Sequence, residues 1–429
     1  MVDMQAVGAR PVAGPERGGK RPGPARISSG LAGAFLSLLA VSGIGLLAPA
    51  SAAPLSLGKG RAAPPGQVER IAVFGKDDRR PLARDRAGLK AKIGLLTDRR
   101  THTACTAFCV GRDTVATAAH CLYRTGAEAP ATPEDFVFRL AGDPPRRMTR
   151  IAGAASRAAA QHIASGSMSL SVRPPIDATS DWALIRLEAP VCRSGGLALS
   201  PHTPEELAKL AHEGRVYQVA YHRDFAGALI AEDHSCRIGR SFPLARWEKI
   251  GRDFAVPGHL ILHTCDTGGA SSGSPLLVDG PAGPAVVGIN IGTYVQSRVL
   301  TQKGQVIHRS RSESIANTAV ATAAFQAAVR TFPEAEILGT RAELRALQGL
   351  LAELGHFHGR KDGRFGRESR AAITSFERAG GLPVTGLATT SLLKRLTDMR
   401  LEARAADGPT LPDRLETGAL GQHRQSRSR

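Results

Sequence analysis

Short apolar runs separated by Gly, Pro, Asp or Asn dominate the chain from about residue 92 to residue 332, at 93–96, 108–110, 114–118, 136–140, 183–187, 216–220, 259–263 and 285–291. Such runs, bounded by turn residues and repeated in series, predict a mainly β domain. Near its end, the alanine-rich segment 315–329 has no Gly or Pro and predicts a single closing helix. After Pro333 the period changes. Leu344, Leu347, Leu350, Leu351 and Leu354 recur at helical spacing and the pattern stops at Gly355. Ala371, Ala372, Ile373 and Phe376 mark a second helix before Gly380-Gly381, and Leu392, Leu393 and Leu396 mark a short third one. Three small helices over 341–396 predict a compact second domain. The arginine-rich segment 397–429 is too polar to build a core and predicts a disordered basic tail.

The N-terminus follows a different pattern. A basic leader (Arg10, Arg17, Lys20, Arg21, Arg26) precedes an uncharged apolar stretch, 31–47, which meets the small residues Ala48-Pro49-Ala50-Ser51-Ala52-Ala53. That order predicts a secretory signal peptide over 1–52, cut after Ala52. An uncleaved anchor is the alternative, since the apolar stretch nears the length of a spanning helix. The small residues favour cleavage, which leaves no membrane span. The leader has no twin-arginine pair, so general secretion is the simpler route. Residues 53–91, rich in Gly, Pro, Arg and Lys, read as a linker or propeptide.

Six cysteines in an exported chain point to three disulfides. Cys105 and Cys121 flank a histidine segment and would staple the strands beside it. Cys236 and Cys265 form the next pair, and Cys109 with Cys192 remains by elimination; sequence leaves the connectivity open. A formal charge of +18 favours acidic partners such as an anionic cell wall, a membrane surface or nucleic acid. Aromatics are only 4% of residues, too sparse to interleave with the basic residues as nucleic acid binding requires, so a wall-facing or solvated basic surface is the better reading.

Two distant segments carry chemistry: Thr117-Ala118-Ala119-His120-Cys121 and Gly269-Ala270-Ser271-Ser272-Gly273-Ser274-Pro275. Between them Asp181 opens the apolar run 182–185. A serine hydroxyl needs an imidazole to take its proton, a carboxylate to orient the imidazole, and N–H donors for the oxyanion. His120, Asp181 and Ser272 are the candidates for the first three roles, with Ser271 and Asp177 as the competing serine and aspartate.

These segments, and their order along the chain, resemble the trypsin/chymotrypsin-like serine peptidases over roughly residues 70–332. The resemblance implies two antiparallel β-barrels, with His120 and Asp181 on the first and Ser272 on the second. It implies oxyanion donors at the backbone N–H groups of Ala270 and Ser272. The family usually has glycine at the position of Ala270, so the hole is expected to form differently here or only on substrate binding. Many trypsin-like enzymes carry an aspartate where this chain has Ser271. That aspartate pairs with a new N-terminal ammonium after zymogen cleavage, so Arg70-Ile71 is not expected to be an activation site. Counting back from Ser272, Asp266 falls at the acid that binds Lys or Arg in trypsin-like pockets, yet Cys265 marks a different loop, so Asp266 is either a pocket residue or a structural acceptor. Glutamyl endopeptidases have a histidine where this chain has Asn290, a second pocket candidate, which argues against a glutamate preference.

Leu354-Gly355-His356-Phe357, Asp362-Gly363-Arg364-Phe365-Gly366 and Gly381-Leu382-Pro383-Val384-Thr385-Gly386 resemble the peptidoglycan-binding domain of cell-wall hydrolases. Most of these are fold residues, and such modules also dock proteins, so peptidoglycan is the expected partner by resemblance. His356 and His358 lack a third ligand in the nearby sequence, and no metal or cofactor is expected. The sequence therefore reads as a secreted serine endopeptidase of the periplasm, cell wall or exterior, acting on protein or peptide substrates. The rivals are an inert peptidase-like wall-binding protein and an esterase or amidase using the same triad.

Overall fold

The structure, a computed structural model, describes residues 2–9, 72–123, 132–144, 147–167, 170–171, 173–225, 230–234, 236–242, 245–302 and 305–406. The apolar stretch read as a signal peptide lies outside them, as do Arg70-Ile71 and the tail beyond residue 406. No helix among the described residues is long and apolar enough to cross a membrane.

Seven strands form the first sheet in the order Thr149–Arg150, Phe136–Leu140, Ile93–Asp98, Ala104–Cys109, Thr114–Thr117, Ala183–Arg186, Ile163–Ser165, with every neighbouring pair antiparallel. An antiparallel bridge between Ile151 and Leu187 joins the extension of the first of these strands to that of Ala183–Arg186, so the sheet closes on itself. The side chains turned inward are apolar, among them Leu96, Val115, Phe138, Ile151, Ile163 and Ile185. Burying each of the larger ones contributes about 1.5–3 kcal/mol.

The second sheet runs Leu260–His263, Gln305–Ala321, Gly283–Gln302, Pro275–Gly280, Val216–Tyr221, Ile230–Asp233, Arg80–Pro81, again antiparallel along this path. Val2–Ala9 and Ala198–Leu199 add to Gly283–Gln302 in parallel. A bridge from Ile238 to His263 closes this sheet too. A shared apolar layer, including Phe108, Leu184, Tyr217, Leu277, Ile289 and Phe325, packs the two sheets together. Strand Val216–Tyr221 is buried at every position because both of its faces are covered.

Three expectations differ from the structure. The alanine-rich 315–329 is not one helix: Ala316 pairs with Tyr294 and Val320 with Ile289 in strand Gln305–Ala321, and helix begins only at Gln326–Thr331. Strand pairing and burial outweigh the helix preference of alanine, and small side chains suit the close approach at Gly288, where a Cβ would stand 2.9 Å from the Val320 carbonyl oxygen. Residues 72–91, read as linker or propeptide, are packed on the second sheet from Ala72 onward, with Leu89 buried in the shared core. The third helix of the C-terminal domain, Thr390–Ala406, runs well past Thr397, supported by an i,i+4 pair of Lys394 with Asp398 at 2.7 Å.

The C-terminal helices Arg341–Glu353, Arg367–Ala379 and Thr390–Ala406 bury Leu344, Leu347, Leu351, Ile373, Phe376 and Leu396. Thr340 and Glu343 close a capping box at the first helix. Two arginines hold this domain and the connector ahead of it against the first sheet. Arg186 donates to the Phe332 carbonyl at 2.6 Å and the Ala335 carbonyl at 3.1 Å, and the buried Arg370 donates to the Ala160 carbonyl at 2.8 Å and to that of Ile163.

Candidate active site

Strands Thr114–Thr117 and Ala183–Arg186 are hydrogen-bonded neighbours, with Thr117 opposite Ala183. The turn Ala119–Cys121 follows the first, and Asp181 precedes the second, so pairing register brings the two side chains together. Asp181 accepts from the His120 backbone N–H at 2.8 Å through Oδ1, and its Oδ2 lies 2.7 Å from His120 Nδ1. Asp181 is fully buried and His120 nearly so. With the carboxylate ionised, Nδ1 carries the ring proton and Nε2 keeps its lone pair. Asp177 makes no such contact. The Cys105–Cys121 bridge lies beside the histidine, so its sulfurs offer no thiolate to a metal; Cys109–Cys192 and Cys236–Cys265 are also formed.

Ser272 sits on a loop from the other sheet. Ser271 Oγ donates to the Gly268 carbonyl at 2.7 Å, Gly273 N–H to Asn290 at 2.7 Å, and Gln218 to Ser274 Oγ at 2.8 Å. The hydroxyl of Ser272 makes no hydrogen bond within the described residues, whereas those of Ser271 and Ser274 are engaged. The loop is seated on strand Ala104–Cys109, the hydrogen-bonded neighbour of the strand leading to His120. Thr106 N–H donates to the Ser272 carbonyl at 2.9 Å, and Thr106 Oγ1 to the Ala270 carbonyl at 2.8 Å. Gly273 has φ +82°, and a Cβ there would stand 2.1 Å from Thr117 Oγ1 and 2.3 Å from the Thr106 carbonyl oxygen. Only glycine meets both conditions.

The amides of Ala270 and Ser272 donate to no acceptor among the described residues, while those of Ser271, Gly273 and Ser274 are all used. Ala270 has φ +75°, the left-handed conformation that a glycine adopts freely. The alanine therefore holds a glycine-like geometry, at a cost of about 1–2 kcal/mol, and the surrounding contacts must hold it there.

Asp266 is buried with both oxygens engaged, Oδ1 by the Phe74 N–H at 2.8 Å and Oδ2 by the Asp78 N–H at 2.9 Å. Of its two readings, this geometry is that of a structural acceptor. Asn290 is also buried, donating to the Ser271 carbonyl at 3.1 Å and meeting His263 Nε2 at 3.2 Å, so its side chain braces the serine loop. In the C-terminal domain His356 bonds Ser375 Oγ at 2.9 Å and packs edge-on against Phe376. Sequence reasoning missed Thr106, His263 and a buried ion cluster around Arg79. Their roles depend on partners up to 164 residues away, and no local motif marks them.

The trypsin-like peptidase domain family matches residues 105–289, and the peptidoglycan binding domain family matches residues 340–396. Among solved structures, a Glu endopeptidase in complex with MPD is similar at 16% identity and a TM-score of 0.41, covering 60% of this chain and 97% of that one. No curated protein matches the chain. The chain thus joins a trypsin-like peptidase domain to a C-terminal peptidoglycan-binding domain.

Proposed function

We propose that this chain is a secreted serine endopeptidase that cleaves peptide bonds through an acyl-enzyme and is held at the cell wall by its C-terminal domain. The observation that carries this reading is the buried His120–Asp181 pair, which leaves Nε2 as acceptor, beside a loop whose Ser272 hydroxyl and two amides are unengaged. In the reaction Ser272 Oγ attacks the scissile carbonyl carbon and its proton passes to His120 Nε2. Asp181 stabilises the imidazolium. The N–H groups of Ala270 and Ser272 hold the oxyanion, a contribution worth about 10²–10³ in kcat per donor in comparable sites. His120 then protonates the leaving amine, and water, activated by the same imidazole, releases the acid. The wall-binding domain would raise local substrate concentration without touching this chemistry.

The test is fluorophosphonate labelling of the mature protein with Ser272→Ala as control, followed by casein cleavage and by sedimentation with insoluble peptidoglycan. Labelling at Ser272 with casein cleavage supports an endopeptidase. Labelling without peptide cleavage favours an esterase or amidase, and no labelling of folded protein removes the enzymatic reading. Recovery of the protein in the supernatant at physiological salt removes wall binding.

A further inference from the structure

The strained Ala270 conformation needs something to hold it. The segment ahead of the first sheet is fastened to the approach of the serine loop: Ala72 and Thr267 exchange backbone hydrogen bonds at 3.0 Å, and Asp266 takes the Phe74 and Asp78 amides. At its end Arg79 is almost fully buried, its guanidinium bonded to Asp77 at 2.7 and 2.9 Å and to Asp224 at 2.7 Å. This cluster presses on Gly268, where a Cβ would stand 1.9 Å from Asp224 Oδ1 and 2.7 Å from Arg79 Nη1. The Gly268 carbonyl is in turn the acceptor on which Ser271 closes its turn, and Arg223, next to Asp224, donates its N–H to the Gly269 carbonyl at 2.8 Å.

We propose that Arg79 is a positioning residue for the oxyanion loop: by joining Asp77 to Asp224 behind Gly268 it clamps the 72–79 segment and the 222–225 turn around residues 266–270 and holds Ala270 in its left-handed conformation. The inference rests on the peptidase reading for its consequence, not for its geometry. Without the guanidinium, two carboxylates face each other beside Gly268 with no cation between them, and their repulsion opens the clamp. The Ala270 peptide then relaxes and turns its N–H away from the oxyanion.

The experiment compares the parent chain, Arg79→Met, Arg79→Lys and Arg79→Met/Ala270→Gly. It measures hydrogen exchange across 264–275, the rate of fluorophosphonate labelling, and kcat and KM on a peptide substrate. The expected result for Arg79→Met is faster exchange confined to 264–275 and a fall in labelling and kcat of about tenfold or more, with KM little changed. The double variant should regain most of that loss, because glycine holds φ +75° without strain; a residue needed only for folding would gain nothing from Ala270→Gly. If Arg79→Met is not recovered folded, Arg79→Lys carries the same comparison, since it keeps the charge and loses the fork that spans both carboxylates. Exchange in 264–275 and labelling equal to the parent's overturn the proposal, as does a folded double variant no better than Arg79→Met. A parent chain that is not labelled removes the peptidase reading, and the exchange comparison still decides the role of Arg79.

Discussion

Replacing Asp181 by asparagine isolates one element of the proposed mechanism, because the two side chains have nearly the same shape. In the native site Oδ1 accepts the His120 backbone N–H and Oδ2 accepts Nδ1–H, so two donors meet two acceptors. Asparagine offers one acceptor and one donor. If its oxygen faces the backbone N–H, its amide group points at Nδ1 and forces the ring proton onto Nε2, the atom that must take the proton from Ser272. If the amide flips, its N–H₂ opposes the backbone N–H of a fully buried site, leaving that donor unpaired at about 1–3 kcal/mol. The first arrangement is therefore preferred, and it carries the inactive tautomer. A triad with the wrong tautomer loses about 10⁴ in kcat, roughly 5 kcal/mol of transition-state stabilisation. Asp181→Asn should keep its fold and its KM and show that loss in steady-state cleavage of a peptide substrate. Activity within tenfold of the parent would refute the assignment of Asp181 as the residue that fixes the histidine tautomer.

Gly273→Ala should combine backbone strain with a collision against the Thr106 carbonyl, costing about 1–3 kcal/mol in thermal unfolding and about 100-fold in kcat/KM as the loop shifts by roughly 1 Å; a variant matching the parent in both would contradict the seating of the loop. Breaking the Cys105–Cys121 bridge as Cys105→Ser/Cys121→Ser removes a cross-link spanning 16 residues and should lower stability by about 3 kcal/mol in a urea titration under oxidising conditions. Burial pushes His222 and His263 down to about 4, from 6.5. The unfolded chain then binds protons that the fold refuses, so their contribution is complete above pH 6.5 and is lost as pH falls toward 4, at up to about 1.4 kcal/mol per pH unit for each. Urea midpoints measured from pH 7 to pH 4 should fall accordingly, and less so for His222→Gln/His263→Gln; identical slopes would remove these two histidines as the cause.

Much of this architecture was legible because it is written in short-range pattern. Apolar runs such as 93–96 and 136–140 mark strands, leucine spacing marks the helix Arg341–Glu353, and the segments around His120 and Ser272 carry their chemistry in consecutive residues. The segment 315–321 was misread because alanine is silent about its partner: its strand identity comes from Tyr294, Thr293 and Ile289 across the register, and a single sequence does not state register. The length of the last helix escaped for the opposite reason, since beyond Leu396 it has no buried face to mark it and is carried by local helix formers.

Ala270 shows how the two kinds of information combine. The sequence flags a departure, an alanine where glycine is easier, and from it one expects an oxyanion hole formed differently or only on substrate binding. In the structure the alanine stands at φ +75° with its N–H unengaged among the described residues, a conformation no local preference explains. What replaces the freedom of glycine is tertiary: Thr106 holds its carbonyl, Arg223 holds that of Gly269, and the Arg79–Asp224 pair presses on Gly268. These residues come from three distant stretches that meet only after both sheets have formed. The competence of the serine loop is therefore tied to the folding of the whole peptidase domain, including the 72–79 segment, which the composition of the sequence assigns to a linker.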